Sequence, residues 1–205
     1  MNTTEIIASA FIGYFCGCIQ TAYFIGYYKM KSDIRNSGSG NAGASNIITT
    51  LGWKWGIFTG VVDMLKGAIA VLIINYLFEN SSNHFELQFF AGTMAVIGHI
   101  FPFFMKFKGG KGISTFIGML IAINPIIGLI SGSIVSFFLL TTGFVAPGSV
   151  LIYILLPLYI YYDNFSSTVI IMTSILALIG IAKHRINFVR MRNKSEETLW
   201  DVLKK

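Results

Sequence analysis

The sequence predicts an all-α integral membrane protein with seven transmembrane helices, its N-terminus outside the cell and its C-terminus in the cytoplasm. Three observations carry that expectation. Of the 205 residues, 54% are hydrophobic and only 12% are charged, about half the roughly 25% usual in soluble domains. So few charges cannot cover the surface of a soluble fold. Apolar runs near the roughly 20 residues that a spanning helix needs recur along the chain. Lys and Arg fall on alternate connections between those runs. The same composition excludes a disordered chain and a nucleic-acid module, so the net charge of +6 reports sidedness instead. No polar stretch is long enough to fold alone, and residues 1–205 read as one membrane-embedded domain.

The first run covers residues 6–28, and the second and third cover 53–78 and 87–104. A long apolar stretch over 113–162 follows, interrupted at Asn124-Pro125 and again between Thr142 and Gly148, and the last run covers 167–182. Proline favours a helix boundary or kink. The piece 113–123 alone rises only about 16 Å, so crossing would require residues borrowed from the Lys-rich loop before it. Charge decides the parity. With seven helices, fourteen of the fifteen Lys and Arg lie on one side, and the fifteenth, Lys66, is inside a span. The opposite side carries only Glu5, Glu79, Glu86, Asp163 and His84. Six helices would place the basic tail opposite the other basic loops, so the positive-inside rule selects seven. Residues 1–5 carry no basic residue and precede a long run, which argues against a cleaved signal peptide. Cys16 and Cys18 stand at i, i+2 on different helix faces and read as small buried side chains rather than a disulfide or metal site.

The polar segments cluster on the cytoplasmic side. Residues 37–46 carry Gly38, Gly40 and Gly43 among Ser39, Asn41, Ser45 and Asn46. Glycines let consecutive N–H groups converge as an anion nest, and the serines and asparagines add side-chain donors. The same composition also suits a flexible loop. The glycines spell GxGxxG, but no βαβ unit surrounds them, so a dinucleotide site is excluded. Residues 98–112 place Lys108 and Lys111 around Gly109 and Gly110, suiting phosphate or a positive-inside stop, and His99 reads as a core histidine holding that loop. Beyond the last run, His184 and Asn187 stand at i, i+3 and share a face if the helix continues. Arg190 and Arg192 there suit contact with anionic lipid equally well. Inside the second run, Asp63 and Lys66 are also i, i+3. An unpaired charge at that depth costs about 2.5–3.5 kcal/mol on insertion scales, so a mutual structural pair, or else contact with the cytoplasmic motifs, is expected.

Together these segments resemble the bacterial membrane acyl-phosphate:glycerol-3-phosphate acyltransferases over nearly the whole chain. The family pattern DxR-x-x-GSGN-x-GATN is met by Asp33, Arg35 and residues 37–46. The pattern GH-x-FP-x-F-x-x-FKGGKG is met throughout 98–112, and HR-x-N-I-x-R is met over 184–190 with Phe188 for Ile. Residues 63–67 resemble the family's D-x-L-K-G. The resemblance implies transfer of a fatty acyl group from acyl phosphate to the 1-hydroxyl of sn-glycerol 3-phosphate, giving lysophosphatidic acid and phosphate, the opening step of phospholipid synthesis. The active site would lie on the cytoplasmic face of the bacterial cell membrane, without metal or cofactor. It further implies that Ser39, Gly40, Asn41, Ser45 and Asn46 cradle phosphate, Ser39 as one of the catalytic residues, and that Gly38, Gly43, Lys108, Gly109, Gly110 and Ser149 also bind substrate or phosphate. Lys111 would bind substrate phosphate and offset developing charge. His184 and Asn187 would orient the glycerol hydroxyl, with His184 or a substrate phosphate oxygen as base. Ser149 matches the second serine of the family's S-L-G-S turn, whose first Ser and Leu are here Ala146 and Pro147.

Other departures bear on the acceptor. Thr49 stands where the family carries an arginine implied to hold the acceptor's phosphate, and a hydroxyl does not replace a bidentate guanidinium. Ser45 replaces the threonine of GATN and keeps a hydroxyl. The family's G-S-I-P reads Gly17-Cys18-Ile19-Gln20. A divergent paralogue with another acceptor is therefore one alternative. A transporter or binder of anionic lipid precursors is another, although the chain lacks the repeated halves of many transporters.

Overall fold

Asn2 starts the first helix. Its side chain accepts the Thr4 N–H at 3.3 Å, and Glu5 accepts the Asn2 N–H at 2.9 Å, a reciprocal cap that satisfies two donors at the helix start. The computed structural model describes residues 2–204, and the described residues form α-helices and short 3-10 turns with no β-strand. In chain order the helices are α1 (Thr3–Cys18), α2 (Thr21–Met30), α3 (Ala44–Leu51), α4 (Trp53–Leu77), α5 (His84–Ile100), α6 (Ile113–Ile123), α7 (Pro125–Thr142), α8 (Ala146–Tyr162), α9 (Ser167–Arg192) and α10 (Leu199–Leu203).

Among the described residues, five stretches are long and apolar enough to cross a membrane by length and composition: Thr3–Met30, Trp53–Leu77, His84–Met105, Pro125–Thr142 and Ser167–Arg192. The helices Ile113–Ile123 and Ala146–Tyr162 are apolar but shorter. The helix α6 takes nothing from the Lys-rich loop. Gly112 at φ +88° stops it at one end, and Asn124 with Pro125 ends it at the other. The first run is continuous in hydropathy yet breaks between α1 and α2. The Gln20 side chain fills the gap, donating to the carbonyls of Gly17 at 3.3 Å and His99 at 3.0 Å. Cys16 and Cys18 are free thiols.

The chain divides into two compact units, Met1–Pro125 and Ile126–Lys205. In the first, α1 lies against α5 and α4 against α6. Both pairs touch through glycine. A Cβ on Gly17 would stand 2.0 Å from the Ala95 carbonyl oxygen, and one on Gly118 would stand 1.8 Å from that of Met64. Close backbone contact of this kind is how helices associate in lipid, where burial of apolar surface gives little drive. In the second unit α8 packs on α9, with the Tyr153 ring laid over Gly180. Its outer surface carries Leu129, Phe137 and Leu178 well exposed, an arrangement suited to lipid rather than water. A hollow of about 630 Å³ between α7 and α8 is walled by Leu129, Ile130, Phe137 and Leu151.

Gly118→Ala should destabilise the protein by about 1–3 kcal/mol, the usual range for overpacking, read as a lowered Tm in detergent. Gly60→Ala, whose Cβ meets nothing nearer than 3.7 Å, should leave Tm unchanged or slightly raised.

Candidate functional site

Two loops of the first unit form one surface, and each is shaped by side chains that lie beneath it. In the first loop Gly38 and Gly40 adopt left-handed φ of 56° and 74°. Asn46, on the first turn of α3 and buried, holds them there. Its Oδ1 accepts the Ser39 N–H at 2.8 Å, and its amide donates to the carbonyls of Ile34 at 3.1 Å and Ser37 at 3.0 Å. A Cβ on Gly38 would collide with Asn46 Oδ1 at 2.3 Å, so conformation and space both call for glycine. Gly43 is extended and starts α3, while Gly40 and Ser45 are exposed at the rim. The hydroxyls of Thr49 and Thr50 both turn back to the Asn46 carbonyl, at 3.0 and 2.7 Å.

The second loop is fastened to the first by Arg35. Its Nη1 donates to the carbonyls of Met105 at 2.8 Å and Lys108 at 3.1 Å, and Asp33 grips the rest of the guanidinium, with Oδ2 2.6 Å from Nη2. The Arg35 guanidinium holds the Asp33 carboxyl below the usual range, and Asp33 in turn raises the Arg35 pKa. Gly109 and Gly110 bond back to the carbonyls of Ile100 and His99 at 3.0 and 3.1 Å. A Cβ on Gly110 would lie 2.0 Å from His99 Nε2 and 2.7 Å from the Ala42 carbonyl oxygen, so this glycine is wedged between the histidine and the first loop. The chain then passes Lys111 and enters α6. Ala44 at the start of α3 and Ser114 at the start of α6 both approach Gly60 of α4, at 3.7 and 3.9 Å from where its Cβ would be. Two helix N-termini and Lys111 thus converge beside a glycine-rich nest, an arrangement that favours a bound anion.

Under this surface lies a buried polar chain. Asp63 and Lys66 pair at 2.8 Å, as their spacing predicts, and each side chain is only 3% exposed. Thr21 donates to Asp63 at 3.2 Å. The Lys66 ammonium also reaches the Ile19 carbonyl at 2.5 Å and His99 Nδ1 at 2.7 Å. His99 is buried and supports the second loop through its ring and its carbonyl.

The second unit carries the remaining candidates. The helix α9 continues through residues 184–190, so His184 and Asn187 do share a buried face. His184 Nδ1 lies 2.8 Å from the Gly180 carbonyl. A carbonyl only accepts, so in the neutral ring Nδ1 carries the proton and the lone pair is on Nε2. Asn187 donates to Glu196 at 2.5 Å. Ser149 is buried, with its hydroxyl on the Val145 carbonyl at 2.9 Å. Sequence reasoning passed over Glu196, for which a lone acid in a tail gives no signal. It also gave no role to Arg35, whose partners lie about seventy residues away.

Asp33→Asn should loosen the clasp between the loops. A carboxyl with a lowered pKa stabilises the fold above its unfolded value, near 3.9 for aspartate, and ceases to do so as pH falls through the folded one. The Tm difference between wild type and Asp33→Asn should therefore be constant above about pH 5 and shrink below about pH 4.

Comparison with known proteins shows what the chain is similar to. The family model described as glycerol-3-phosphate acyltransferase matches residues 7–194. A glycerol-3-phosphate acyltransferase of Thermoanaerobacter pseudethanolicus is 39% identical over 196 residues, covering 94% of this chain and 95% of its own. That of Endomicrobium trichonymphae is 36% identical over 188 residues, 92% of each chain. Among solved structures, the glycerol 3-phosphate form of PlsY (YgiH), an integral membrane glycerol 3-phosphate acyltransferase, superposes with a TM-score of 0.86. It is 31% identical, with 98% of this chain and 99% of that one covered. The lysophosphatidic acid form of PlsY gives a TM-score of 0.79 at 30% identity, with the same coverage. The chain belongs to the glycerol-3-phosphate acyltransferase family.

Proposed function

We propose that this protein transfers a fatty acyl group from acyl phosphate to the 1-hydroxyl of sn-glycerol 3-phosphate, releasing phosphate and lysophosphatidic acid. It would do so as a seven-helix protein of the bacterial cell membrane, N-terminus out, with the site on the cytoplasmic face. The observation that carries the reading is the convergence of the α3 and α6 N-termini with Lys111 beside the nest of residues 37–46. Both substrates bear phosphate, which this place in the first unit is suited to receive. Family membership, the glycerol 3-phosphate and lysophosphatidic acid forms of PlsY, and the basic residues of one set of loops support it.

The chemistry follows from the substrates. The acceptor oxygen adds to the acyl carbonyl, a tetrahedral oxyanion forms, and phosphate leaves with the pair of electrons of the broken C–O bond. Acyl phosphate is already activated, so no enzyme nucleophile is required. The turn of Ser39, Gly40 and Asn41 would cradle phosphate through the Asn41 N–H and the side chains of Ser39, Asn41 and Ser45, while the Ser39 and Gly40 N–H groups hold the turn by bonding Asn46 Oδ1 and the Ser37 carbonyl. Asn46 would act from below by fixing the nest. Lys111, with Lys108 and the Gly109-Gly110 turn, would offset charge on substrate and leaving phosphate. Asn187 would orient the acceptor hydroxyl. The proton would pass to His184 Nε2 or to a phosphate oxygen. Ser149 would contribute to substrate binding through its hydroxyl.

Purified protein given acyl phosphate and labelled glycerol 3-phosphate should form lysophosphatidic acid. Lys111→Ala should lower kcat/KM by about 100-fold or more, the usual loss when one preorganised charge donor is removed. Absence of product, with a conventional family enzyme active in parallel, would sink the assignment.

A second reading, acylation of another acceptor, rests on Thr49, whose hydroxyl is turned back to Asn46. Thr49→Arg should lower the KM for glycerol 3-phosphate by about tenfold, the worth of a net charge-assisted hydrogen bond. If a panel of acceptors and this variant show no difference, acceptor divergence through this position is excluded.

A further inference from the structure

We propose that Lys66 is a positioning residue for the phosphate site, acting through His99 on the loop that carries Lys111. This rests on the phosphate-binding reading above. Lys66 is buried in α4, and its ammonium has three donors. All three have acceptors: Asp63 at 2.8 Å, the Ile19 carbonyl at 2.5 Å and His99 Nδ1 at 2.7 Å. Asp63 alone would neutralise the charge. The contact to His99 does something more. An ammonium can only donate, so His99 Nδ1 is held as an acceptor and the ring proton is fixed on Nε2. That edge of the ring is where Gly110 is wedged.

The same histidine's carbonyl takes two donors, Gln20 Nε2 at 3.0 Å and Gly110 N at 3.1 Å. Ring and backbone of His99 therefore meet the loop one residue before Lys111. The break between α1 and α2 supplies the Ile19 carbonyl, and Thr21 just beyond it steadies Asp63 at 3.2 Å. A chain of hydrogen bonds runs from inside the span to the turn that presents the lysine. Rotation of the imidazole would disturb Gly110, whose Cβ position is also met by the Ala42 carbonyl oxygen at 2.7 Å. With Nδ1 capped by an ammonium, His99 has no accessible base, so its part is placement alone.

The test uses variants that keep the buried charge balanced, because removing one member of a buried pair is strongly destabilising while replacing both is often neutral. Asp63→Asn/Lys66→Met removes the donor to His99. Asp63→Asn/Lys66→Gln restores an amide donor without charge. The Met form should raise the KM for glycerol 3-phosphate about tenfold with kcat changed less than about threefold, and the Gln form should recover most of that loss. A folded Met form with unchanged KM, or a Gln form no better than Met, overturns the proposal. Should the double variants fail to fold, His99→Leu leaves the Asp63–Lys66 pair whole and must show the same rise in KM; an unchanged value overturns it equally. Thermal protection by inorganic phosphate gives a readout independent of turnover. Wild type should be protected, and the Met form should need about ten times more phosphate for the same Tm shift. Protection lost in that way without any acyl transfer by wild type would fault the acyltransferase assignment and uphold the role of Lys66; equal protection of both would fault the role of Lys66.

Discussion

One buried ammonium organises the first unit. A lysine inside a span costs about 2.5–3.5 kcal/mol on insertion scales if left unmatched, so every donor of Lys66 must find an acceptor within the protein. The acceptors come from three separate stretches: the carbonyl of Ile19, the carboxylate of Asp63 and the ring of His99. Ile19 can offer its carbonyl because the helix breaks there, and the break is tolerated because Gln20 bonds the carbonyls of Gly17 and His99. In hydrocarbon, backbone groups released from a helix must be paired again. The lysine and the glutamine solve each other's problem, and the tight approaches of α1 to α5 and α4 to α6 through Gly17 and Gly118 bring them into reach.

The loops above this core divide labour between backbone and side chain. Side chains that look like ligands in the sequence do much of the holding. Asn46 spends its oxygen and its amide on three backbone groups of its own loop, and Arg35 spends its guanidinium on Asp33 and two carbonyls of the neighbouring loop. What they shape is backbone. Beside the turn around Gly38 and Gly40, the starts of α3 and α6 present first-turn N–H groups, which carry partial positive charge and would lose little freedom on meeting an anion. A phosphate site of this kind depends on rigid loops, which explains why bonds beneath the surface are as dense as the groups on it.

Part of this was legible in the sequence. Hydropathy located the long helices, and the i, i+3 spacing of Asp63 and Lys66 predicted their pairing. The glycine-rich segments marked the two loops, and the continuation of α9 put His184 and Asn187 on one face. The break at Ile19 was not legible, because hydropathy registers side chains and the run stays apolar through it. The bounds of α6 were legible, since the apolar piece 113–123 rises only about 16 Å, but that it takes nothing from the Lys-rich loop was not, because this depends on the left-handed Gly112 rather than on composition. The targets of Arg35 lie on Met105 and Lys108, and the tail acid Glu196 reaches Asn187. Such contacts depend on where the fold brings distant carbonyls and amides, which carry no signature in the sequence.

The basic balance of the chain resolves into different tasks once each cation has a place. Arg35 and Lys66 are matched by carboxylates at 2.6 and 2.8 Å. Lys29 lies over the Trp55 ring at 4.4 Å and Lys54 over Trp53 at 5.7 Å, the aromatic and basic company typical of a membrane interface. In the first unit, the cation that adjoins a helix start within the nest is Lys111. With Thr49 turned into its own helix, no guanidinium stands on α3 to grip a phosphate in two fixed directions. On the proposed reading, the pocket would rely on lysine ammonium groups and on backbone donors. Such groups would hold a phosphate by charge and distance more than by the orientation of its substituent, so on that reading discrimination between acceptors would come from whatever meets the far end of the molecule.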